Sequence, residues 1–118
     1  MSNDPAIDSE AIENLRALDT DGDNSFLREI IGIFLQDTPL RIADLHQSLA
    51  AGDVVRFSRA AHSLKGSASN LGATRLSGAA SKLEQQSRHD GLASVGSHLP
   101  VIEAEFAAAK AELERFLA

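Results

Sequence analysis

Cysteine, tyrosine and tryptophan are all absent from this 118-residue chain, and five phenylalanines are its only aromatic residues. Without cysteine there can be no disulfide and no thiolate zinc site, so stability must come from packing, and any metal would have only histidine and carboxylate ligands. Glycine and proline are sparse, at eight and three residues. Much of the 43 % apolar content is alanine and leucine, so the composition is that of a helical protein and not of a sheet.

A surplus of positive charge is missing as well. Seventeen acidic residues outnumber eleven scattered Lys and Arg, for a net charge of −6, which argues against nucleic acid as the main partner because phosphate binding relies on clustered cations. No stretch approaches the roughly eighteen apolar residues that a membrane span requires. The opening MSNDPAIDSEAIENL carries four carboxylates and no apolar core of a signal peptide. The expectation is a cytoplasmic protein with no membrane contact, a monomer, organised as one domain over residues 1–118.

What the chain does contain is helical periodicity. A short first helix is expected from Asp8 or Ser9, capped by Asp8, with Ile7, Ile12, Leu15 and Leu18 as its apolar edge, ending at the turn Asp19–Asn24. A second runs from Ser25 to about Ala51, with Leu27, Ile31, Phe34, Thr38, Ile42, Leu45 and Leu49 three or four apart. Pro39 falls inside it. Because the periodicity continues in phase on both sides, a kinked single helix is expected there in preference to two helices. Gly52 ends this helix and Asp53 caps the next, whose seam Val54, Phe57, Ala61, Leu64, Ala68 and Leu71 leads to Gly72. A fourth helix is expected from about Thr74 to Arg88. The last carries Val95, Leu99, Ile102, Phe106, Ala109, Leu113 and Phe116, with Pro100 either bending it or marking its true start. Such segments joined by short connections predict an all-α fold, an antiparallel up-down-up-down four-helix bundle with a short extra N-terminal helix.

The third helix holds the candidate site. In AAHSLKGSASNLG, Ala60 to Gly72, His62 follows the seam residue Ala61 and so stands about 100° round the helix from the core. It should be partly or wholly exposed. Its neighbours at helical spacing are Ser58, Arg59, Lys65 and Gly66, with Ser69 one turn beyond. Small side chains there would leave the imidazole open to a flat partner surface, and the cations would favour a negative group on its ring nitrogen.

The pattern H-x-L-K-G at His62, Leu64, Lys65 and Gly66, followed by Asn70, Leu71 and Gly72, resembles the histidine-containing phosphotransfer (HPt) domain family. FLREIIGIFLQDTP and LSGAASKLEQQSR are similar to the family's second and fourth helices, so the resemblance covers roughly Ile7 to Leu117. It implies a phosphorelay intermediate in which His62 takes a phosphoryl group from one receiver-domain aspartate and passes it to another. It also implies Lys65 as the cation beside the phosphoryl group, Gly66 as the position kept bare for a receiver, and Glu84 as the group that bonds the other imidazole nitrogen. Ser58, Arg59, Gly66 and Ser69 would form the docking surface. The partners implied are response-regulator receiver domains or a hybrid histidine kinase. No cofactor is expected on this chain, the Mg²⁺ being held by the receiver.

Two other functions share the fold: an adaptor that binds receivers without carrying phosphate, and the amino-terminal domain of a chemotaxis-type kinase. Intact His62, Lys65 and Gly66 favour the carrier, and Met1 with a polar N-terminus favours a free-standing protein. An enzyme acting on small molecules would need convergent acids, bases or ligands, which the sequence does not offer. His46, His89 and His98 lack a Lys-Gly partner and receive no role. Glu84 has a simpler reading as an exposed carboxylate paired with Arg88 at i+4. The run Asp19, Asp21, Asp23 imitates a calcium loop, but Asn24 and Ile30 stand where that loop needs Gly and Glu, so it is expected to be a turn and helix cap with no metal.

Overall fold

The computed structural model describes residues 5–19, 22 and 24–117. Its helices are α1 (Ser9–Ala17), α2 (Ser25–Ala51), α3 (Val54–Asn70), α4 (Thr74–Asp90) and α5 (Leu99–Leu117), and no strand occurs among the described residues. α2 to α5 form the antiparallel bundle, and α1 lies across one end of it.

Local chemistry explains several of the boundaries. Asp8 caps α1 by accepting from the Glu10 amide at 3.0 Å. Asp19 accepts from the Phe26 amide at 3.1 Å and so covers the first turn of α2, the capping role expected for that aspartate; Asp21 and Asp23 lie outside the described residues. Gly52, at φ +70°, turns the chain out of α2, and Asp53 then caps α3 through the Arg56 amide at 3.1 Å. α2 runs unbroken through Pro39, whose ring faces solvent, as one helix and not two. Pro100 marks the true start of α5: Val95–His98 form a separate 3₁₀ turn, and a proline in the first turn of a helix forfeits no hydrogen bond.

The core follows the expected seams, with Leu27, Ile31, Phe34, Ile42, Leu45, Phe57, Ala61, Leu64, Leu76, Leu83, Ile102 and Leu113 all buried. Two edges differ. Leu18, expected on the apolar edge of α1, is 65 % exposed because the helix has already ended, and Val54 stays exposed at the very start of α3. The N-terminal end is fastened by Glu112 of α5, which accepts from the amides of Ala6 and Ile7 at 2.7 and 3.1 Å, and by the Asp8 amide donating to the Gly72 carbonyl at 2.7 Å. None of the described helices is long and apolar enough to cross a membrane.

Candidate functional site

α3 and α4 form the most extensive helix pair in the molecule. Both helices carry small buried residues, Ser58, Ala61 and Ala68 on α3 and Ala80 and Ser87 on α4, and Ser58 meets Ser87 across the contact. Small contact residues let two helices approach closely, which brings a carboxylate on α4 within reach of a histidine on α3.

Going round α3 at about 100° per residue, Lys65 and Ser58 lie about 60° and 40° to one side of His62, and Gly66 and Asn70 about 40° and 80° to the other. α4 covers the first side and α2 approaches the second. The His62 side chain is 62 % exposed, as the seam position predicts. Its Nδ1 lies 2.9 Å from Oε2 of Glu84, and Nζ of Lys65 donates to Oε1 of the same carboxylate at 3.0 Å. Arg88, one turn along α4, reaches Oε2 at 2.7 Å.

Glu84 is only 5 % exposed. Burial pushes its acidity towards the neutral form, but the hydrogen bonds from Lys65 and His62, with the charge of Arg88, outweigh it and hold the carboxyl below its ordinary value. An ionised carboxylate against Nδ1 places a proton on that nitrogen, by the logic of the hydrogen-bond network. Nε2 of the neutral ring is then left with its lone pair, on the edge of the imidazole away from Glu84. Both readings of Glu84 therefore hold a part of the geometry: it pairs with Arg88 at i+4, yet it is buried and also bonds His62.

The expected docking set separates. Arg59, Gly66 and Ser69 are exposed, and a Cβ added at Gly66 would meet no atom within 4 Å. Ser58 is not part of that surface. It is 8 % exposed and turned towards α4, where its hydroxyl lies 2.7 Å from that of Ser87. Helical spacing alone puts Ser58 and Gly66 equally near His62; only the position of α4 decides which of them is covered.

Two features escaped the sequence reading. Arg88 was visible only as a partner for Glu84, since nothing local shows that their shared carboxylate also holds His62. The second is an apolar groove of about 380 Å³ between α1, α2 and α3, lined by Leu15, Ile30, Ile33 and Phe34 with Ser67 and Asn70. Ile33 is 52 % exposed there, and the available signal was that Ile30 and Ile33 are apolar yet lie off the α2 seam. His46 pairs with Glu103 of α5 at 2.6 Å, while His89 is exposed in the last turn of α4 and His98 closes the 3₁₀ turn. Among the described residues no cluster of three or more histidines and carboxylates could hold a metal ion.

Among the exposed histidines, His62 has its inner ring nitrogen against a buried carboxylate, an arrangement that fits a histidine-presenting carrier. The family model described as the Hpt domain matches residues 29–114, and the chain belongs to that family. Hpt domains are phosphocarrier intermediates of phosphorelays, without an ATP-binding domain of their own, and their partners are receiver domains and hybrid kinases. Histidine-containing phosphotransfer protein B (HptB) of Pseudomonas aeruginosa PAO1 superposes with a TM-score of 0.85 at 29 % identity, over 94 % of this chain and 93 % of that one. The maize phosphotransfer protein ZmHP2 shares the fold, with a TM-score of 0.79 at 23 % identity over 96 % of this chain and 88 % of its own. Multistep phosphorelay regulator 1 of Schizosaccharomyces pombe is 33 % identical over 70 residues, 59 % of this chain; the match spans about a quarter, 24 %, of that longer protein.

Proposed function

We propose that His62 is the phosphorylated residue and that the chain shuttles a phosphoryl group between receiver-domain aspartates in a multistep phosphorelay of the cytoplasm. The observation that carries this reading is the grip of Glu84 on Nδ1 of an otherwise exposed imidazole. The Nε2 lone pair attacks the phosphorus of a receiver's aspartyl phosphate. An N–P bond forms, the P–O bond to the aspartate breaks, and the aspartate leaves as a carboxylate. With Nδ1 still protonated the phosphorylated ring carries a positive charge, which Glu84 faces. Onward transfer reverses the bond changes with a second aspartate. Positioning and charge stabilisation dominate such transfers; Glu84 supplies the first, and Lys65 and Arg88 stand beside the ring for the second. Arg59, Gly66 and Ser69, continued by the groove at Ile33, form the receiver surface. The lack of cysteine and of any membrane-crossing helix among the described residues supports the cytoplasmic setting.

Incubation with radiolabelled phosphorylated receivers of the source organism tests the reading. The parent chain takes up acid-labile phosphate, and His62→Gln, which alters an exposed side chain, stays folded and takes up none. Label on the His62→Gln protein would overturn the assignment. A parent that binds receivers but never takes up label would make it an adaptor.

A further inference from the structure

Ser58 and Ser87 meet in the α3–α4 contact, 8 % and 1 % exposed, with their hydroxyl oxygens 2.7 Å apart. Ser87 has a single hydroxyl proton, and its oxygen lies 2.8 Å from the main-chain carbonyl of Glu84, to which it can donate. With that proton on the carbonyl, it is Ser58 that donates to Ser87; either hydroxyl of the pair can act as the donor. The bonds form a closed circuit: from His62 back one turn along α3 to Ser58, across to Ser87, on to the Glu84 main chain, and through the Glu84 side chain to Nδ1 of His62. A second bond, from the Ser77 hydroxyl to the Lys65 carbonyl at 3.2 Å, joins the two helices on the other side of the pair.

Volume does not account for these serines. Serine differs from alanine by a single hydroxyl, and a buried hydroxyl is unfavourable unless bonded. What a hydroxyl adds over an alanine methyl is direction. We infer that Ser58 and Ser87 are positioning residues: their buried hydrogen bond, continued to the main chain of Glu84, sets the height and rotation of α4 at which its carboxylate meets Nδ1 of His62. The inference rests on His62 being the phosphoacceptor, and it concerns how the nitrogen that stays unphosphorylated is held.

The test compares the parent chain with Ser58→Ala and Ser58→Thr. Nitrogen-15 NMR of the His62 ring reads which nitrogen carries the proton, independently of any phosphate. Phosphorylation by phosphoramidate and transfer from a receiver are measured on the same samples. Ser58→Ala should lose the predominance of the Nδ1–H form and transfer about tenfold more slowly, the scale typical of groups that orient a functional histidine. Ser58→Thr, which keeps the hydroxyl, should restore both. A Ser58→Ala protein with the parental tautomer overturns the inference, whether its rate falls or not. If Ser58→Ala does not fold, Ser58→Cys, similar in size with a weaker donor, is read by the same criteria. A parent chain that accepts no phosphate would instead refute the phosphoacceptor reading, while the tautomer comparison would still decide the clasp.

Discussion

His62 and Glu84 are 22 residues apart in the chain and 2.9 Å apart in space, joined across the α3–α4 contact through Nδ1 and Oε2. The exposed member of the pair is the candidate for chemistry, and the buried member is its hydrogen-bond partner.

Glu84→Gln should weaken the fold at neutral pH by about 1–3 kcal/mol, because it removes the charge that Lys65, His62 and Arg88 share in a buried setting. The loss should shrink in acid. Unfolded, Glu84 takes up a proton near its ordinary value of 4.5; folded, it does so at lower pH. Between those values the unfolded chain binds more protons, so the contribution of Glu84 is complete above 4.5 and disappears as pH falls through the folded value. Urea denaturation of parent and variant across the acid range should show the two curves converging. A gap independent of pH would contradict the assignment.

Lys65→Ala should fold normally and transfer slowly. Arg88 and His62 remain on Glu84, but the carboxylate is buried and loses one charged donor, so stability should fall by about 1–3 kcal/mol. The rate of transfer with receivers should fall by about ten- to a hundredfold, the lower range for losing a group that stabilises developing charge. Equal rates at low salt would remove Lys65 from the mechanism.

Gly66→Arg should be at least as stable as the parent, since glycine inside a helix costs about 1 kcal/mol relative to a good helix former and no atom of this chain crowds the site. It should nevertheless lose binding to receivers and transfer with them, while small phosphoramidate still phosphorylates His62. Transfer at the parental rate would place the docking surface elsewhere on α3.

Gly72 and Gly52 share a left-handed backbone, at φ +72° and +70°, but not a setting. A Cβ at Gly52 meets nothing, whereas one at Gly72 would lie 2.6 Å from Cβ of Ala11 and 3.0 Å from the Asp8 carbonyl oxygen. Gly52→Ala should cost about 1–2 kcal/mol from backbone strain alone. Gly72→Ala should cost clearly more in thermal or urea melts, because α1 must also shift. Equal losses would mean that α1 contributes little to stability.

Periodicity was enough to place α2, α3 and α4 within a residue or two, because each has a strong seam and a glycine at or just beyond its C-terminal end. It was less reliable where a helix is short or begins irregularly. The apolar run of α1 outlasts the helix by Leu18, and the 3₁₀ turn before Leu99 continues the spacing of α5. In the site, His62, Lys65 and Gly66 were legible because they share one helix, and Glu84 was reached through the family resemblance. Ser58 was misplaced for a physical reason: spacing gives angles round a helix axis, but not which angles a neighbouring helix covers. The groove at Ile33 was missed because it arises from three helices together.

Ser58, His62, Lys65, Glu84, Ser87 and Arg88 all lie in one helical hairpin, α3 and α4 joined through Leu71, Gly72 and Ala73. Bringing His62 to Glu84 therefore closes a short loop, at an entropic cost lower by about 1 kcal/mol than uniting groups a hundred residues apart. Contacts of low sequence separation also form quickly. The apparatus around His62 is thus built from contacts of low sequence separation, whereas α5 and the N-terminal segment close the molecule through contacts about a hundred residues apart in the chain, such as Glu112 with Ala6.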